Sequence, residues 1–356
     1  MGVFRQNMVK IHIPPSGGES EGAVRWGIRV VFVVLVLLMI TLLVVAFEFY
    51  ARWHYRDVVQ TAHGWDYFFY KSFTKIIAEN NNHKFRGRDF DIAKGDTFRV
   101  VVIGDSFAWG QGVFPYTNRF PELAETILKK RFPDFDIEII NLGYPGRDLH
   151  DHVDKLQFVI RLHPDFVLYQ WFVNDVDEDA DVAAFHSNRF VPSEKLHQKM
   201  KLCSVTYILM PRAWNQLRAI VGLQKSYDQY LYEKFQDKDS EPSVKATGEL
   251  HALIMDLHNS GIAMGIVLFP QLDSSLDKYK LGFLHERVLE ECLMDHIRGL
   301  DLREAYSVYN KSMRELWANP LDSHPGVLAH RIAAEKIVET FGPVWLELER
   351  KQKDLL

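Results

Sequence analysis

Residues 98–107 read FRVVVIGDSF, and this stretch decides the fold. Phe98 to Ile103 is a short, nearly continuous apolar run rich in β-branched residues, as expected of a strand covered on both faces. Gly104-Asp105-Ser106 follows at once, and glycine permits the unusual backbone that a sharp turn into a helix requires. We therefore predict a buried parallel strand that ends in a serine-bearing turn.

Strands and helices alternate after this first strand. Similar runs predict further strands over Ile137 to Leu142, Phe166 to Phe172, Ile262 to Phe269 and Gly299 to Leu302. Helices are predicted over Phe120 to Phe132, Leu149 to Leu162, Pro211 to Phe235, Glu249 to Asn259 and Val327 to Phe341. Such alternation indicates a parallel sheet with helices on both faces, whose ligands bind beyond the carboxyl ends of the strands.

Three further short blocks accompany the serine turn: Asn141-Leu142-Gly143, Asn174-Asp175 and Asp322-Ser323-His324-Pro325. Ser106, Gly143 and Asn174 each follow a predicted strand, so all three reach the same edge of the sheet. Random motif matches would not all fall at strand ends. The site is therefore predicted at this edge.

The residue types in these blocks suit acyl transfer. A serine hydroxyl such as that of Ser106 is a poor nucleophile until an imidazole, here His324, takes its proton. Asp322 can accept from Nδ1 of that imidazole and leave Nε2 for the serine. Gly143 through its N–H and Asn174 through its amide can donate to the negative oxygen of the intermediate.

Together the four blocks resemble the SGNH (GDSL-like) hydrolase superfamily, whose signature serine, glycine, asparagine and histidine fall on Ser106, Gly143, Asn174 and His324, with Asp322 as the acid. The resemblance implies a flavodoxin-like three-layer α/β/α fold with a central parallel sheet, and ester chemistry without a metal. It also implies an oxyanion hole from the Ser106 and Gly143 amides and the Asn174 side chain. Residues 81–86, followed by GDSFAWGQGV, resemble membrane-anchored bacterial members associated with surface polysaccharides.

Two positions depart from the pattern of that superfamily. Phe172 stands where the third block usually has glycine, and the last block is Asp-x-His where Asp-x-x-His is common. Because of the shorter spacing, another carboxylate or a backbone carbonyl is an alternative to Asp322 as the partner of the imidazole.

An uncharged apolar run precedes the predicted domain. Val30 to Phe47 contains about 18 helical residues, which cover roughly 27 Å, close to the hydrocarbon thickness of a bilayer. The run lacks a small-x-small cleavage site, so we favour one uncleaved transmembrane helix over a signal peptide. Four basic residues precede it and two follow closely, which favours a cytoplasmic N-terminus and an extracytoplasmic (periplasmic or cell-surface) domain.

These signals divide the chain into five segments. They are a cytoplasmic segment (1–25), an anchor (26–50), a linker (51–95), a catalytic domain (96–345) with an insert (176–245), and a tail (346–356). The insert is either a lid over the site or a decoration without a catalytic part. Cys203 and Cys292 are either two packed thiols or a single bridge.

Composition excludes several classes of function. The net charge of −5 and the absence of a basic stripe give no reason to expect nucleic acid as a partner. No cofactor is expected, because the chain has no glycine-rich nucleotide loop. No metal is expected either: the alternating aspartates of residues 175–181 lack the glycine and glutamate of a calcium loop.

Two functions remain open at this stage. The first is a membrane-anchored serine esterase or O-acyltransferase that acts on ester, especially O-acetyl, groups of a glycan or lipid through an acyl-enzyme on Ser106. The second is a non-catalytic binding or scaffold subunit of a surface-polysaccharide modification or export complex. The altered third block at Phe172 fits the second hypothesis, whereas intact Ser106, Asn174 and His324 speak against it.

Overall fold

The computed structural model describes residues 18–54, 79–177, 225–273, 275–319 and 322–354, with isolated positions between 196 and 223. The chain divides into two units, residues 1–54 and 55–356. The first contains one long helix, α1 (Gly18–His54), and within Val24–Trp53 a window of 18 residues has a mean hydropathy of 3.4. This helix is long and apolar enough to cross a membrane, a test that a signal sequence passes as well.

Five parallel strands form the central sheet of the second unit. They are β1 (Phe98–Ile103), β2 (Ile137–Asn141), β3 (Phe166–Trp171), β4 (Ala263–Leu268) and β5 (Arg298–Asp301). Their spatial order is β2-β1-β3-β4-β5. This is the flavodoxin-like order, in which the chain reverses direction across the sheet beside β1. The predicted fold class is confirmed, and the predicted strands agree with the observed ones to within one residue at each end.

Helices cover both faces of the sheet. They are α2 (Ser106–Trp109), α3 (Phe120–Arg131), α4 (Leu149–Asp154), α5 (Leu156–Arg161), α6 (Tyr227–Phe235), α7 (Glu241–Asn259), α8 (Gly282–Met294), α9 (Arg303–Ser307) and α10 (Val327–Lys353). Alternate residues of β1 enter the two cores: Val100 and Val102 pack with α3 and α10, while Val101 and Ile103 pack with the layer of α4 to α8. Each such buried side chain contributes about 1.5–3 kcal/mol, so β1 stabilises both layers at once.

Several predicted helix limits are corrected by the structure. The pattern from Leu149 to Leu162 is two helices, because the backbone leaves helical geometry at Lys155. The helix before β4 begins at Glu241, eight residues earlier than expected, with Pro242 in its first turn, where a missing N–H costs nothing. Helix α8 was not predicted at all. The helix predicted over Pro211 to Phe235 is interrupted by a turn at residues 221–223, where Gly222 has φ 72°, and α6 begins only at Tyr227. Half of the predicted positions before α6 lie outside the described residues.

The last helix is longer than predicted. It passes through Pro343 and ends at Lys353, so most of the predicted tail is helical. An internal proline costs about 3 kcal/mol. Trp345 offsets this cost because it is fully buried and packs against Phe166 and Phe341.

A two-stranded antiparallel hairpin stands apart from the main sheet. Its strands are β6 (Trp317–Asn319) and β7 (Asp322–Pro325), and β7 contacts α2 and the start of α10. No strand was predicted here. Because alternate residues of a strand point to the same side, Asp322 and His324 face the same way, and this explains how the short Asp-x-His spacing can work.

The folded unit also begins earlier than predicted. Residues 79–90, assigned to the linker, form a turn closed by a bridge between Asn80 and Arg86. The Arg86 side chain is buried, and its guanidinium donates to the carbonyls of Trp109, Gly110 and Val113 at 2.6–3.2 Å. This segment is therefore part of the domain that carries Ser106.

Candidate active site

The switch point of the sheet brings three of the four blocks together. Ser106 follows β1, Gly143 follows β2, and Asn174 lies in a short 3₁₀ helix (Val173–Val176) after β3. Crevices at the carboxyl ends of strands beside such a point are where α/β proteins bind ligands. Hairpin strand β7 supplies the fourth block.

A continuous hydrogen-bonded chain links the serine, the histidine and the acid. Ser106 Oγ lies 3.0 Å from His324 Nε2, and His324 Nδ1 lies 2.6 Å from Asp322 Oδ1. The same carboxylate oxygen accepts from the backbone N–H of His324 at 3.2 Å. This second contact holds the Asp322 carboxylate beside the imidazole although only one residue separates them. The acid is nearly buried, while about a quarter of the histidine side chain is exposed. A substrate can therefore reach the imidazole while its orienting acid is shielded from water.

Gly143 allows the second block to pack tightly against the serine helix. A Cβ at this position would lie 2.5 Å from the backbone N of Trp109 and 2.7 Å from the carbonyl carbon of Ala108. Its own N–H donates to Asn141 Oδ1 at 2.9 Å. The predicted oxyanion donor therefore already has an acceptor in this structure.

Asn174 lies beside the residue that precedes the nucleophile. Its amide favours the ionised form of Asp105, while its Oδ1 is buried and has no hydrogen-bond partner among the described residues. Ser106 is the first residue of α2, so its N–H has no acceptor within that helix. The structure thus brings all three predicted oxyanion donors to one edge of the sheet. The Gly143 N–H already donates to Asn141 and the Asn174 amide lies against Asp105, whereas the Ser106 N–H has no acceptor within α2.

Buried acids lie beneath the serine turn. Asp105 is almost fully buried and accepts from the N–H of Phe107 at 2.8 Å. Burial raises the pKa of Asp105 to about 6, against the opposing effects of that N–H, of His324 and of nearby amides. Burial and the charge of Asp105 raise the pKa of Asp175 well above its ordinary range. The second carboxyl is therefore kept protonated when the first is ionised.

Gln170 was missed by the sequence reasoning. Its side chain is fully buried on β3, and its Oε1 accepts from the N–H groups of Asp105 and Ala108 at 3.1 and 3.0 Å. It thus fixes the backbone on both sides of Ser106. A single polar residue inside the apolar strand FVLYQW was the signal that could have revealed it, because buried polar groups are nearly always hydrogen-bonded.

Asn141 was quoted in its block but was given no role. It donates to the carbonyl of Ala108 at 2.7 Å and accepts from Gly143, so it joins the second block to the serine helix. His330 joins α10, the helix that follows the His324 block, to the start of α3: its Nδ1 accepts from the N–H of Phe120. Burial lowers the pKa of His330 to about 3, which keeps it neutral and able to accept.

Phe172, the residue that replaces the usual glycine, is accommodated by stacking. Its ring lies 4.2 Å from that of Phe107, which in turn meets the His324 ring edge-on at 5.3 Å. The Phe172 N–H donates to Asp175 at 2.8 Å. The departure therefore adds an aromatic contact next to the nucleophile and leaves the hydrogen-bonded chain intact.

Two other groups of potentially reactive side chains, the cysteines and one cluster of possible metal ligands, lie outside the four blocks. Cys292 is a free, buried thiol, and burial together with Asp295 raises its pKa to about 12; Cys203 lies outside the described residues. Among the described residues, His251 on α7, Glu291 on α8 and Asp295 just after α8 bring potential ligand atoms within 4.8 Å of one another. His251 is exposed, and this group takes no part in the chain from Ser106 to Asp322.

The chain superposes weakly on several solved hydrolases. An acetylxylan esterase from Geobacillus stearothermophilus gives a TM-score of 0.44 at 15% identity, covering 72% of this chain and 98% of that one. A protein described as lipolytic and of the G-D-S-L family, from Desulfitobacterium hafniense DCB-2, gives 0.41 at 14%, covering 68% and 99%. An α/β hydrolase enzyme from the metagenome of Lake Arreo gives 0.44 at 16%, covering 68% and 94%.

No protein-family model matches the chain, and no curated protein matches it in sequence. Superpositions and identities this low assign no activity. The resemblance to the SGNH superfamily therefore depends on the four blocks and on their assembly at one edge of the sheet.

Proposed function

We propose that this chain is a membrane-anchored serine esterase or O-acyltransferase of the SGNH type. The observation that carries the proposal is the hydrogen-bonded triad Ser106, His324 and Asp322 at the carboxyl edge of the sheet. Ser106 Oγ lies 3.0 Å from His324 Nε2, and His324 Nδ1 lies 2.6 Å from Asp322 Oδ1. Distances of about 2.6–3.2 Å from nucleophile to base are those that general-base catalysis requires.

In the first half-reaction, His324 Nε2 takes the proton of the Ser106 hydroxyl while Oγ attacks the carbonyl carbon of the ester. The tetrahedral intermediate collapses when the C–O bond to the alcohol breaks, and the imidazolium returns its proton to the departing oxygen. Asp322 holds the imidazole in the required orientation and stabilises its positive charge. An acyl group is then bound to Ser106 Oγ.

The oxyanion is assigned to the N–H groups of Ser106 and Gly143 and to the amide of Asn174. Preorganised donors of this kind contribute about 3–4 kcal/mol each to transition-state stabilisation. Gly143 must share its N–H between the substrate and Asn141 Oδ1, since that hydrogen bond exists without substrate. Asn141 Oδ1 is therefore an acceptor with which the oxyanion must compete for this N–H.

In the second half-reaction, His324 activates either water or an alcohol. Water yields an esterase, and an alcohol yields an O-acyltransferase with the same residues. We propose an O-acyl, especially O-acetyl, group on a glycan or lipid as the substrate, because a chain tethered by α1 would work beside membrane-surface molecules. A polysaccharide-modification complex would be a fitting partner.

Both half-reactions can be tested with the full-length protein in detergent micelles. We expect p-nitrophenyl acetate to be cleaved slowly, with release of nitrophenol, and an oligosaccharide acceptor to become acetylated, as read by mass spectrometry. Cleavage without any acetylated acceptor, over several acceptors, would identify an esterase. Absence of cleavage above the Ser106→Ala background would favour the scaffold hypothesis.

The orientation of the anchor is a separate proposal. The basic residues before the apolar stretch of α1 favour a cytoplasmic N-terminus. We expect alkaline phosphatase fused after residue 356 to be active, and a fluorescent protein that matures only in the cytoplasm to stay dark at the same position. The reverse pattern would place the domain in the cytoplasm, and recovery of a chain cut near residue 47 would make the helix a signal peptide.

A further inference from the structure

A cavity lies at the same edge of the sheet, on the face opposite α2. It has a volume of about 250 Å³. Its floor includes Ile103 and Leu142, which immediately precede Gly104 and Gly143 of the first two blocks. The cavity therefore begins at the strand ends from which the nucleophile turn and the oxyanion glycine emerge. None of the steps assigned above uses it.

Aromatic rings form one wall of this cavity. Phe85 and Phe158 stack with centroids 5.9 Å apart and planes inclined by 20°. Both rings are half-buried and line the cavity. Flat apolar faces of this kind suit the C–H face of a sugar ring. The volume lies just below the roughly 300 Å³ at which sites for drug-sized ligands begin, so it suits a single sugar residue.

The polar groups of the cavity are positively charged or neutral. Its ionisable lining residues are His83, Arg147, His152 and Lys155, and none of the described lining residues is acidic. Lys155 has a partner in Asp151 at 3.4 Å, and His83 bonds to the carbonyl of Phe90. The remaining two, Arg147 and His152, indicate which kind of ligand the cavity could bind.

Arg147 is half-buried without a polar partner. Within the described part of the chain, its guanidinium forms no hydrogen bond or ion pair, and it lies 4.8 Å from the ring of Tyr144 and 5.9 Å from that of Phe85. Burial lowers its pKa, with Asp151 the main acid that opposes this effect. A guanidinium held on aromatic rings with its donors unused is preorganised for a carboxylate, which it binds through two parallel hydrogen bonds.

His152 supplies the second observation. It is 3% exposed, and its Nε2 has no hydrogen-bond partner among the described residues. Burial, with the charge of Arg147, lowers its pKa to about 3, so the ring is neutral. A buried nitrogen without a partner costs about 1–3 kcal/mol. The His152 ring meets that of Tyr169 edge-on at 5.5 Å and gives the cavity a neutral wall beside Arg147.

We propose that this cavity binds a carboxylate-bearing sugar residue, a uronic acid, of the glycan that carries the ester, with Arg147 on the carboxylate and Phe85 against the ring. The substrate class rests on the proposed function, whereas the binding itself does not. A neutral glycan would leave the charge of Arg147 without a counterion, and a purely apolar acyl chain would bury its guanidinium donors without partners, which is unfavourable.

The test measures binding apart from turnover. Full-length Ser106→Ala protein in detergent is titrated by calorimetry with trigalacturonate, with xylotriose as a neutral sugar of equal length, and with glycerol phosphate as a lipid-headgroup anion. We expect trigalacturonate to bind at least about 10-fold more tightly than xylotriose. Arg147→Gln should weaken only trigalacturonate, by about 10- to 100-fold, as expected for the loss of one charge-assisted pair.

Arg161→Gln is the matched control. Arg161 is exposed, its guanidinium lies 5.5 Å from the ring of Phe158, and it does not itself line the cavity. It should change neither affinity by more than about 2-fold, as expected of a surface substitution. Circular dichroism establishes that each variant is folded, and Arg147→Lys, which keeps the charge but not the paired donors, should recover part of the affinity.

Three results would overturn the proposal: equal affinity for the acidic and neutral sugars, equal effects of Arg147→Gln and Arg161→Gln, or Arg147-dependent binding of glycerol phosphate without binding of trigalacturonate. Arg147-dependent binding of trigalacturonate in a protein whose Ser106 form cleaves no ester would remove the proposed enzymatic function and leave the acidic-sugar site standing.

Discussion

Replacing Ser106 with alanine is expected to lower the rate of p-nitrophenyl acetate cleavage by at least about 10⁴-fold, to the level of the uncatalysed background plus residual oxyanion stabilisation. Its Oγ is the atom 3.0 Å from His324 Nε2, within the distance that proton transfer to the imidazole requires. Covalent labelling by a fluorophosphonate probe should disappear together with the activity, because the same oxygen attacks phosphorus.

Ser307→Ala provides the control for this variant. The Ser307 hydroxyl donates to the carbonyl of Glu304 in α9 and lies outside the four blocks. Labelling and turnover should both match the unmodified protein. If Ser106→Ala is labelled as strongly as the unmodified protein, another residue is the nucleophile and the assignment of the whole hydrogen-bonded chain is lost.

His324→Ala is expected to reduce turnover nearly as much as loss of the serine, by about 10⁴- to 10⁶-fold, since the proton of Ser106 then has no acceptor. Asp322→Asn should cost less, about 10²- to 10⁴-fold, because the acid orients the imidazole and takes no part in bond making. The 2.6 Å contact with Nδ1 and the contact with the His324 N–H both depend on that carboxylate.

His258→Ala serves as the control, as His258 is exposed in the last turn of α7. Single-turnover measurements of acylation compare the variants directly. Full activity of Asp322→Asn would show that another group holds the imidazole, and equal losses for Asp322→Asn and His324→Ala would show that orientation limits the reaction as strongly as proton transfer.

The local pattern of the sequence was sufficient for the parallel sheet. Strands such as β1 are buried on both faces, so their residues are apolar without alternation, and this signal depends only on neighbours along the chain. The same holds for the position of Ser106 and Asn174, because a residue that follows a parallel strand must emerge at the carboxyl edge. A long apolar segment such as α1 is equally a property of composition.

Helix limits were less predictable because tertiary burial overrides local preference. Pro343 predicts the end of a helix, yet α10 continues past it because Trp345 becomes fully buried against the sheet. Helix α8 was missed because its buried face includes Gly282 and His285 while the apolar Leu293 at its end is exposed, so its sequence shows no clean apolar stripe.

What the sequence alone determined is therefore the fold class and the four blocks that meet at its edge. The tertiary structure decided how they work together. Hairpin strand β7 directs Asp322 and His324 to the same side. Gln170 on β3 accepts from the backbone of the neighbouring turn around Ser106. Residues 79–90, distant in sequence from the other walls, bring Phe85 to the cavity. Contacts between segments far apart along the chain depend on how the sheet twists and its layers pack, and no periodicity in the sequence encodes them.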